Sequence, residues 1–502
     1  MKLLSARQQQ KLDQFTIENE PISDVDLMER AGKRCAEALL QKWGDYEHFA
    51  IVVGPGNNGG DGLVIARLLA RQDKKVVVYF VALTDSGSDA FEVNRKRLKN
   101  IGVTWKVLKS QDDINVVDFR GQVIVDAIFG TGLSRPAEGI AKKVINHVNA
   151  FDVPTVSIDV PSGMYANELH EEQDTFILAS ATLTIHAPKR NFFYPETGNA
   201  VGQLSVLDIG LLEDFMGEEL KTDAYYITDH WLKNIRQQRR TFTHKGSYGH
   251  ALIVAGSEGK IGAAILSASG ALRAGAGLVS ISIPKCGLTA VHTQLPEVMV
   301  EVNGSSYLEQ IGFSKRYRYG IGPGLGGAEQ TTEALERWLA MVDESIVMDA
   351  DMLNLLSRNR ELMSDIPENS ILTPHPKEFE RLAGSFANSY ERTQLQIEFS
   401  QKYGVFVVLK DARTVISDPD GNYYFSTGGN PGMATGGSGD VLTGIITGLL
   451  AQNYQPLEAC ILGVGIHAKA GDCALEMESV ESLTAQSIVK ALGTAFRSLK
   501  TV

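Results

Sequence analysis

The chain opens with two helical stretches and then settles into short apolar runs that alternate with longer segments of helical character. Residues 1–45 read as two helices separated by Pro21-Ile22-Ser23-Asp24, with Ser23 or Asp24 as the cap of the second. Phe49–Val53 is a short buried strand, Leu63–Arg71 a helix and Lys75–Val81 the next strand. A helix near Asp89–Asn100, a strand Gln122–Asp126, a helix near Ala141–Ala150 and a strand Thr155–Asp159 continue the order. Alternation at this spacing predicts a parallel sheet covered on both faces. The acidic stretch Leu211–Thr222 breaks it, which predicts two domains, 1–215 and 223–502. Alternation then restarts with a strand Ala251–Ala255 and a small-residue helix about Ala264–Ala274. Strands follow at Leu278–Ile283, Tyr319–Ile321, Ser345–Asp349, Ile371–Thr373 and Val405–Lys410. Near the end, Val441, Leu442, Ile445, Ile446, Leu449 and Leu450 keep helical spacing behind a glycine-rich stretch.

Length supports this division, because 502 residues exceed what one hydrophobic core holds. A net charge of -12 argues against a general nucleic-acid backbone binder. No apolar run approaches the roughly 20 residues of a membrane span, and MKLLSARQQQ has no signal-peptide core. Cys35, Cys286, Cys460 and Cys473 form no CxxC pair, which fits a reducing cytoplasm. His467 lies between two of these cysteines, but on a small, apolar segment that makes a poor metal site.

In parallel sheets ligands sit beyond the carboxyl ends of the strands. The unusual sequences fall there: GPGNNGGDG (Gly54–Gly62), DAIFGTG (Asp126–Gly132) and DVPSG (Asp159–Gly163). Asp61 can cap the helix that follows the first of them. Asn58, Asp126 and Ser162 offer oxygens that suit a monovalent or hard divalent cation, though each also reads as an ordinary turn or cap. In the second half, eight glycines fall between Gly428 and Gly448. Gly436, Gly437 and Gly439 precede Asp440 at a helix start, an arrangement that holds an anion on free N–H groups beside a carboxylate. GSEGKIGAA (Gly256–Ala264) and IGPGLGG (Ile321–Gly327) are further turns free to meet a ligand, and DADMLN is another polar stretch at a strand end. His375 is held extended between two prolines, and KDART (Lys410–Thr414) offers Lys410 and Arg413 to phosphate.

GPGNNGGDG, DAIFGTG and DVPSG resemble the NAD(P)H-hydrate epimerase domain of the YjeF N-terminal type. The second half resembles the ADP/ATP-dependent NAD(P)H-hydrate dehydratases of ribokinase-like fold. The order matches bacterial bifunctional repair enzymes, and the resemblance covers nearly the whole chain. It implies an N-terminal Rossmann-like parallel α/β sandwich and a C-terminal ribokinase-like α/β domain. It implies that Asn57, Asn58, Gly59, Gly60 and Asp61 hold the hydrated nucleotide, with Gly130, Thr131, Gly132, Leu133, Ser134, Arg135, Pro136 and Asp159 as further contacts. Asn58, Asp126 and Ser162 correspond to potassium ligands, and Asp126 to the acid/base. In the dehydratase half, Ala263, Gly324, His375 and Asp440 correspond to substrate contacts. Lys410, Asp411, Ala412, Arg413, Thr414 and Gly439 correspond to contacts with the adenine nucleotide, and Asp440 to the catalytic base.

The implied reaction is repair of hydrated NADH and NADPH. The R and S hydrates are interconverted, and the S form is dehydrated at the expense of ADP (or ATP), giving AMP and phosphate from ADP. Potassium at the epimerase site and magnesium at the dehydratase site are the implied ions. A cytoplasmic homo-oligomer, a tetramer or larger, is expected, with no nucleic-acid or membrane partner. Two rivals stand beside this reading. One is a small-molecule kinase, which the Asp440 loop would serve equally well; the other makes the first domain a non-catalytic binding module.

Overall fold

The structure is a computed structural model that describes residues 1–84, 86–171, 173–213 and 216–499. The chain divides into two compact units, Lys2–Thr222 and Asp223–Val502, with Met1 grouped with the second.

In the first unit the strands are β1 (His48–Val53), β2 (Lys75–Val81), β3 (Thr104–Leu108), β4 (Val123–Ala127), β5 (Thr155–Ile158), β6 (Ala181–Ile185) and β7 (Gln203–Leu207). Among the described residues they form one seven-stranded sheet in the order β3-β2-β1-β4-β5-β6-β7, parallel throughout. The order reverses between β1 and β4, where Val52 pairs with Asp126, so a crevice opens beyond the ends of these two strands. The strands are apolar on both faces because helices cover both. Phe49, Ile51 and Val53 enter one core, and Ala50 and Val52 enter the other. The two opening helices are Ala6–Asn19 and Asp24–Trp43, and Ser23 caps the second by accepting from Asp26 N.

The second unit contributes β8 (Ala224–Tyr226), β9 (His250–Val254), β10 (Leu278–Ile283), β11 (Met299–Val302), β12 (Arg318–Ile321), β13 (Val347–Met348), β14 (Ile371–Leu372), β15 (Phe406–Leu409), β16 (Val415–Ser417) and β17 (Tyr423–Phe425). These give a ten-stranded sheet among the described residues, in the order β11-β10-β9-β12-β13-β14-β15-β16-β17-β8. It is parallel from β11 to β15, antiparallel at β15-β16-β17, and parallel again at β17-β8. Its switch point lies between β9 and β12. The helix Ile261–Ala274 packs closely on the buried helix Ser438–Ala451. Gly444 makes this approach possible, since a Cβ there would drive into the Ser267 carbonyl oxygen.

Both units are the parallel α/β architectures the periodicity predicted. The strands it missed lack apolar runs. β3 (TWKVL) is an edge with most of its residues exposed, β6 (ATLTI) is built on threonine and alanine, β7 (QLSVL) and β11 (MVEV) are edge strands interrupted by polar residues, and β8, β16 and β17 have three residues each. No described helix is long and apolar enough to cross a membrane.

Candidate functional sites

In the first unit hydrogen bonds link the three suspected cation ligands, Asn58 and Ser162 through Phe129 and Asp126 through Ser162. Asn58 Nδ2 donates to the Phe129 carbonyl at 2.8 Å, and Ser162 Oγ accepts from Phe129 N at 2.8 Å and Ile128 N at 3.2 Å. Asp126 Oδ2 accepts from Ser162 N and Ser157 Oγ, both at 2.8 Å. Asn58 Oδ1 is buried with no hydrogen-bond partner, an orphan acceptor at the point where a cation would relieve it. Two neutral oxygens and one carboxylate make a weak-field set suited to a monovalent ion.

Asp126 is enclosed by hydrogen-bond donors. Its carboxyl is 1% exposed, its oxygens are taken by backbone and serine donors, and it does not line the adjoining cleft. Burial raises its pKa while those bonds oppose the rise. These bonds hold the carboxyl near the end of β4, beside Ser162.

That cleft has a volume of about 1040 Å³ and is lined by Asn57, Asn58, Asp61, Gly130–Pro136 and Asp159. Gly59 and Gly60 lie beneath it. Contrary to the expectation of a loop capped by Asp61, the helix begins at Asn57 with Gly56 as its cap position, and Asp61 stands inside it. Asn57–Gly60 therefore form its first turn; the N–H groups of Asn57–Gly59 have no partner within the helix, and Gly60 N makes the first bond, to the Gly56 carbonyl at 3.1 Å. Gly59 is there for close packing, because a Cβ would strike the Gly54 carbonyl oxygen. Asp159 has φ 64, a left-handed conformation rare for aspartate, which marks local strain. Its Oδ1 receives Lys189 Nζ at 2.5 Å and Ile185 N at 3.2 Å. Lys189 is 4% exposed and also donates to Thr184 Oγ1 at 2.9 Å and the Ala187 carbonyl at 2.8 Å. Burial pushes Asp61 well above the carboxylate range, with Asp159 and Asp13 adding to the rise. Sequence reasoning missed Lys189 and Asp13, since neither belongs to a glycine-rich turn.

In the second unit Gly437, at φ 90, turns the chain into the helix Ser438–Ala451 and puts Asp440 in its first turn. Burial, reinforced by the charge of Asp349 and opposed by Lys410, raises Asp440 to about 6. Lys410 follows β15 and lies against the loop, where a Cβ on Gly439 would stand 3.0 Å from its Nζ. Asp349, 1% exposed, binds Lys410 Nζ at 2.8 Å and accepts from Thr443 Oγ1 at 2.7 Å, tying the end of β13 to both. Ala263 and Gly324 face each other, with a Cβ on Gly324 3.1 Å from that of Ala263. Next to them Asp351 accepts from Gly326 N at 2.8 Å and pairs with Lys260 at 3.5 Å, and its charge also bears on Asp440.

His375 caps the helix Pro376–Ala383, accepting on Nδ1 from Lys377 N at 3.2 Å and Glu378 N at 3.4 Å. Burial lowers its pKa, and the charges of Lys410 and Asp349 reach it. Its Nε2, 3.5 Å from Glu378, is the atom left for a ligand. In KDART, Asp411 pairs with Arg392 at 2.6 Å, Ala412 N donates to Asp411 at 2.8 Å, and Arg413 donates to the Gly428 carbonyl at 2.9 Å. Thr414 offers its carbonyl to Ser426 N. Asp349, Asp351, Lys260 and Thr443 escaped the sequence reading. The DADMLN stretch at a strand end was the available signal for the first two.

Two α/β units, each gathering carboxylates and lysines beyond its sheet's strand ends, define a two-site enzyme. Residues 24–191 match the family model described as YjeF-related protein N-terminus, and residues 251–493 match that of NAD(P)H-hydrate dehydratase. The bifunctional NAD(P)H-hydrate repair enzyme Nnr of Coxiella burnetii is 35% identical over 491 residues, 97% of each chain. That of Moorella thermoacetica is 33% identical over 524 residues, covering 100% of this chain and 97% of its own. The ADP/ATP-dependent NAD(P)H-hydrate dehydratase of Bacillus subtilis, co-crystallised with ATP/Mg2+, is 28% identical with a TM-score of 0.49, over 56% of this chain and 100% of its own. The chain belongs to the bifunctional NAD(P)H-hydrate repair enzymes, which join an isomerase and a lyase in one polypeptide.

Proposed function

We propose that the cleft of the first unit interconverts the R and S hydrates of NADH and NADPH, and that the second unit dehydrates the S form with ADP (or ATP). The observation that carries the second step is Asp440, raised to about 6 in the first turn of a helix behind a glycine loop, with Lys410 alongside. Asp440 takes the proton of the ring hydroxyl. The freed oxygen attacks the terminal phosphoryl group of ADP and AMP leaves. The backbone N–H groups of Gly436–Gly439 and Lys410 receive the charge that develops on the transferring group. Inorganic phosphate then departs from the ring carbon, pushed out by the ring nitrogen, and the reduced nicotinamide is restored. Ala263, Gly324 and His375 hold the hydrated ring, and Lys410–Thr414 with Gly439 hold the adenine nucleotide.

Magnesium would ride on the nucleotide phosphates, since no group of three His, Cys, Asp or Glu suited to a metal occurs among the described residues. In the first unit Asn58, Asp126 and Ser162 would hold potassium, which would supply positive charge to the site. Asn57–Asp61, Gly130–Pro136 and Asp159 receive the hydrate. Asp159, paired with Lys189, is the carboxylate at hand for proton traffic. A cytoplasmic homo-oligomer, a tetramer or larger, is part of the same reading.

The test incubates the chain with mixed hydrate epimers, with and without ADP, and follows the reduced-nicotinamide absorbance. Complete recovery that needs ADP supports the proposal. A stable phosphorylated product, with no absorbance recovered, would replace it with a small-molecule kinase.

A further inference from the structure

The helix Ala6–Asn19 supplies part of the cleft wall through Gln9, Asp13 and Ile17. Asp13 is half-buried there, and its Oδ1 accepts from Gln9 Nε2 at 2.9 Å. Asp159, Asp61 and Asn57 line the same cleft, so Asp13 shares it with the polar groups of the helix start and of the Asp159 turn. Opening the hydrated ring needs two proton transfers, since the hydroxyl must lose a proton and the ring nitrogen must gain one. Lys189 cannot serve as the donor, because its three protons go to Asp159, Thr184 and the Ala187 carbonyl. Asp159, ion-paired to Lys189, is suited to accept.

On the epimerase reading given above, we propose that Asp13 is a catalytic residue that donates the proton to the ring nitrogen while Asp159 takes the hydroxyl proton. The carbon–nitrogen bond breaks, leaving an aldehyde and an N–H. The carbon chain rotates and the nitrogen attacks the other face of the aldehyde. Asp13 recovers its proton from nitrogen as Asp159 returns one to oxygen, so the enzyme ends as it began.

Burial holds Asp13 at about 6, with Asp159 adding to the rise and Gln9, His186 and Lys189 opposing it. Asp61 also interacts with it, and Asp24, Asp89, Arg135 and Glu138 are the other charged groups along the cleft. Asp159 is held by the Lys189 ammonium and among the described residues Asp13 has no such cation bonded to it, a difference in partners that divides acid from base. The proton is present below about 6 and lost above it, so kcat/KM for epimerisation should fall as pH rises through that region.

The experiment measures epimerisation on the full chain, net of the uncatalysed rate, from pH 5 to 9. Asp13→Asn should lower kcat by roughly 10²–10⁴-fold, leave KM within about threefold, and erase the alkaline limb. Gln9→Ala removes a bond that favours the charged form, so its limb should move to higher pH and still decides the matter if Asp13→Asn fails to fold. Parent kcat in Asp13→Asn, or an unmoved limb in Gln9→Ala, overturns the assignment. A parent chain without epimerisation overturns the reading beneath it instead.

Discussion

Asp440 stands where function and stability conflict. Its carboxyl is raised from the usual 3.8 to about 6, so the folded state favours the protonated form. The sign follows: the stability this gives is full below the unfolded value and is lost as pH rises through about 6. Asp440→Asn removes the charge and should melt higher than the parent above that pH, a gain set against lost activity. Dehydration should fall by roughly 10²–10⁴-fold in single turnover, with nucleotide binding retained, because asparagine keeps the size and cannot accept the proton. Normal binding with normal turnover would exclude Asp440 as the base. In the parent, dehydration should weaken as pH drops below about 6, where the carboxylate is lost.

Among the elements, the helix pair Ile261–Ala274 and Ser438–Ala451 sets where the loop Gly436–Gly439 stands. The Ser267 carbonyl leaves no room for a Cβ on Gly444, and backbone cannot swing aside as a flexible side chain does. Gly444→Ala should therefore cost about 1–3 kcal/mol in denaturant unfolding and slow dehydration by shifting Asp440 away from Lys410. Gly59→Ala, driven against the Gly54 carbonyl, should lift the helix Asn57–Ala70 off β1 and suppress epimerisation with dehydration spared. Unchanged stability in Gly444→Ala would show that the two helices can separate freely.

For the molecule as a whole, two compact units with separate sites predict separable defects. Asp126→Ala strips the proposed cation site of its carboxylate. Supplied with mixed epimers and excess ADP, this variant should recover reduced nicotinamide from the S share alone and then stall. Adding the Asp440→Asn variant, whose first unit is intact, should restart it. If the Asp126→Ala variant proceeds to completion at the parent rate by itself, the carboxylate is dispensable.

The sequence determined by itself whatever depends on neighbours along the chain. Apolar runs and helical spacing specified the parallel α/β class of both units, because a strand buried on both faces must be apolar throughout. Glycines before Asp440 specified a left-handed turn at a helix start, because glycine alone pays no steric cost at φ 90. Tertiary structure decided what depends on residues distant in sequence. It put Asn58 and Ser162 on Phe129, joined Asp126 to Ser162 N and buried its carboxyl. It brought Asp13 from the first helix and Lys189 from beyond β6 to Asp159, and it tied Asp349 to Lys410 and Thr443. Charge and burial at a site are sums over every element packed around it, and no local pattern in a chain records that sum.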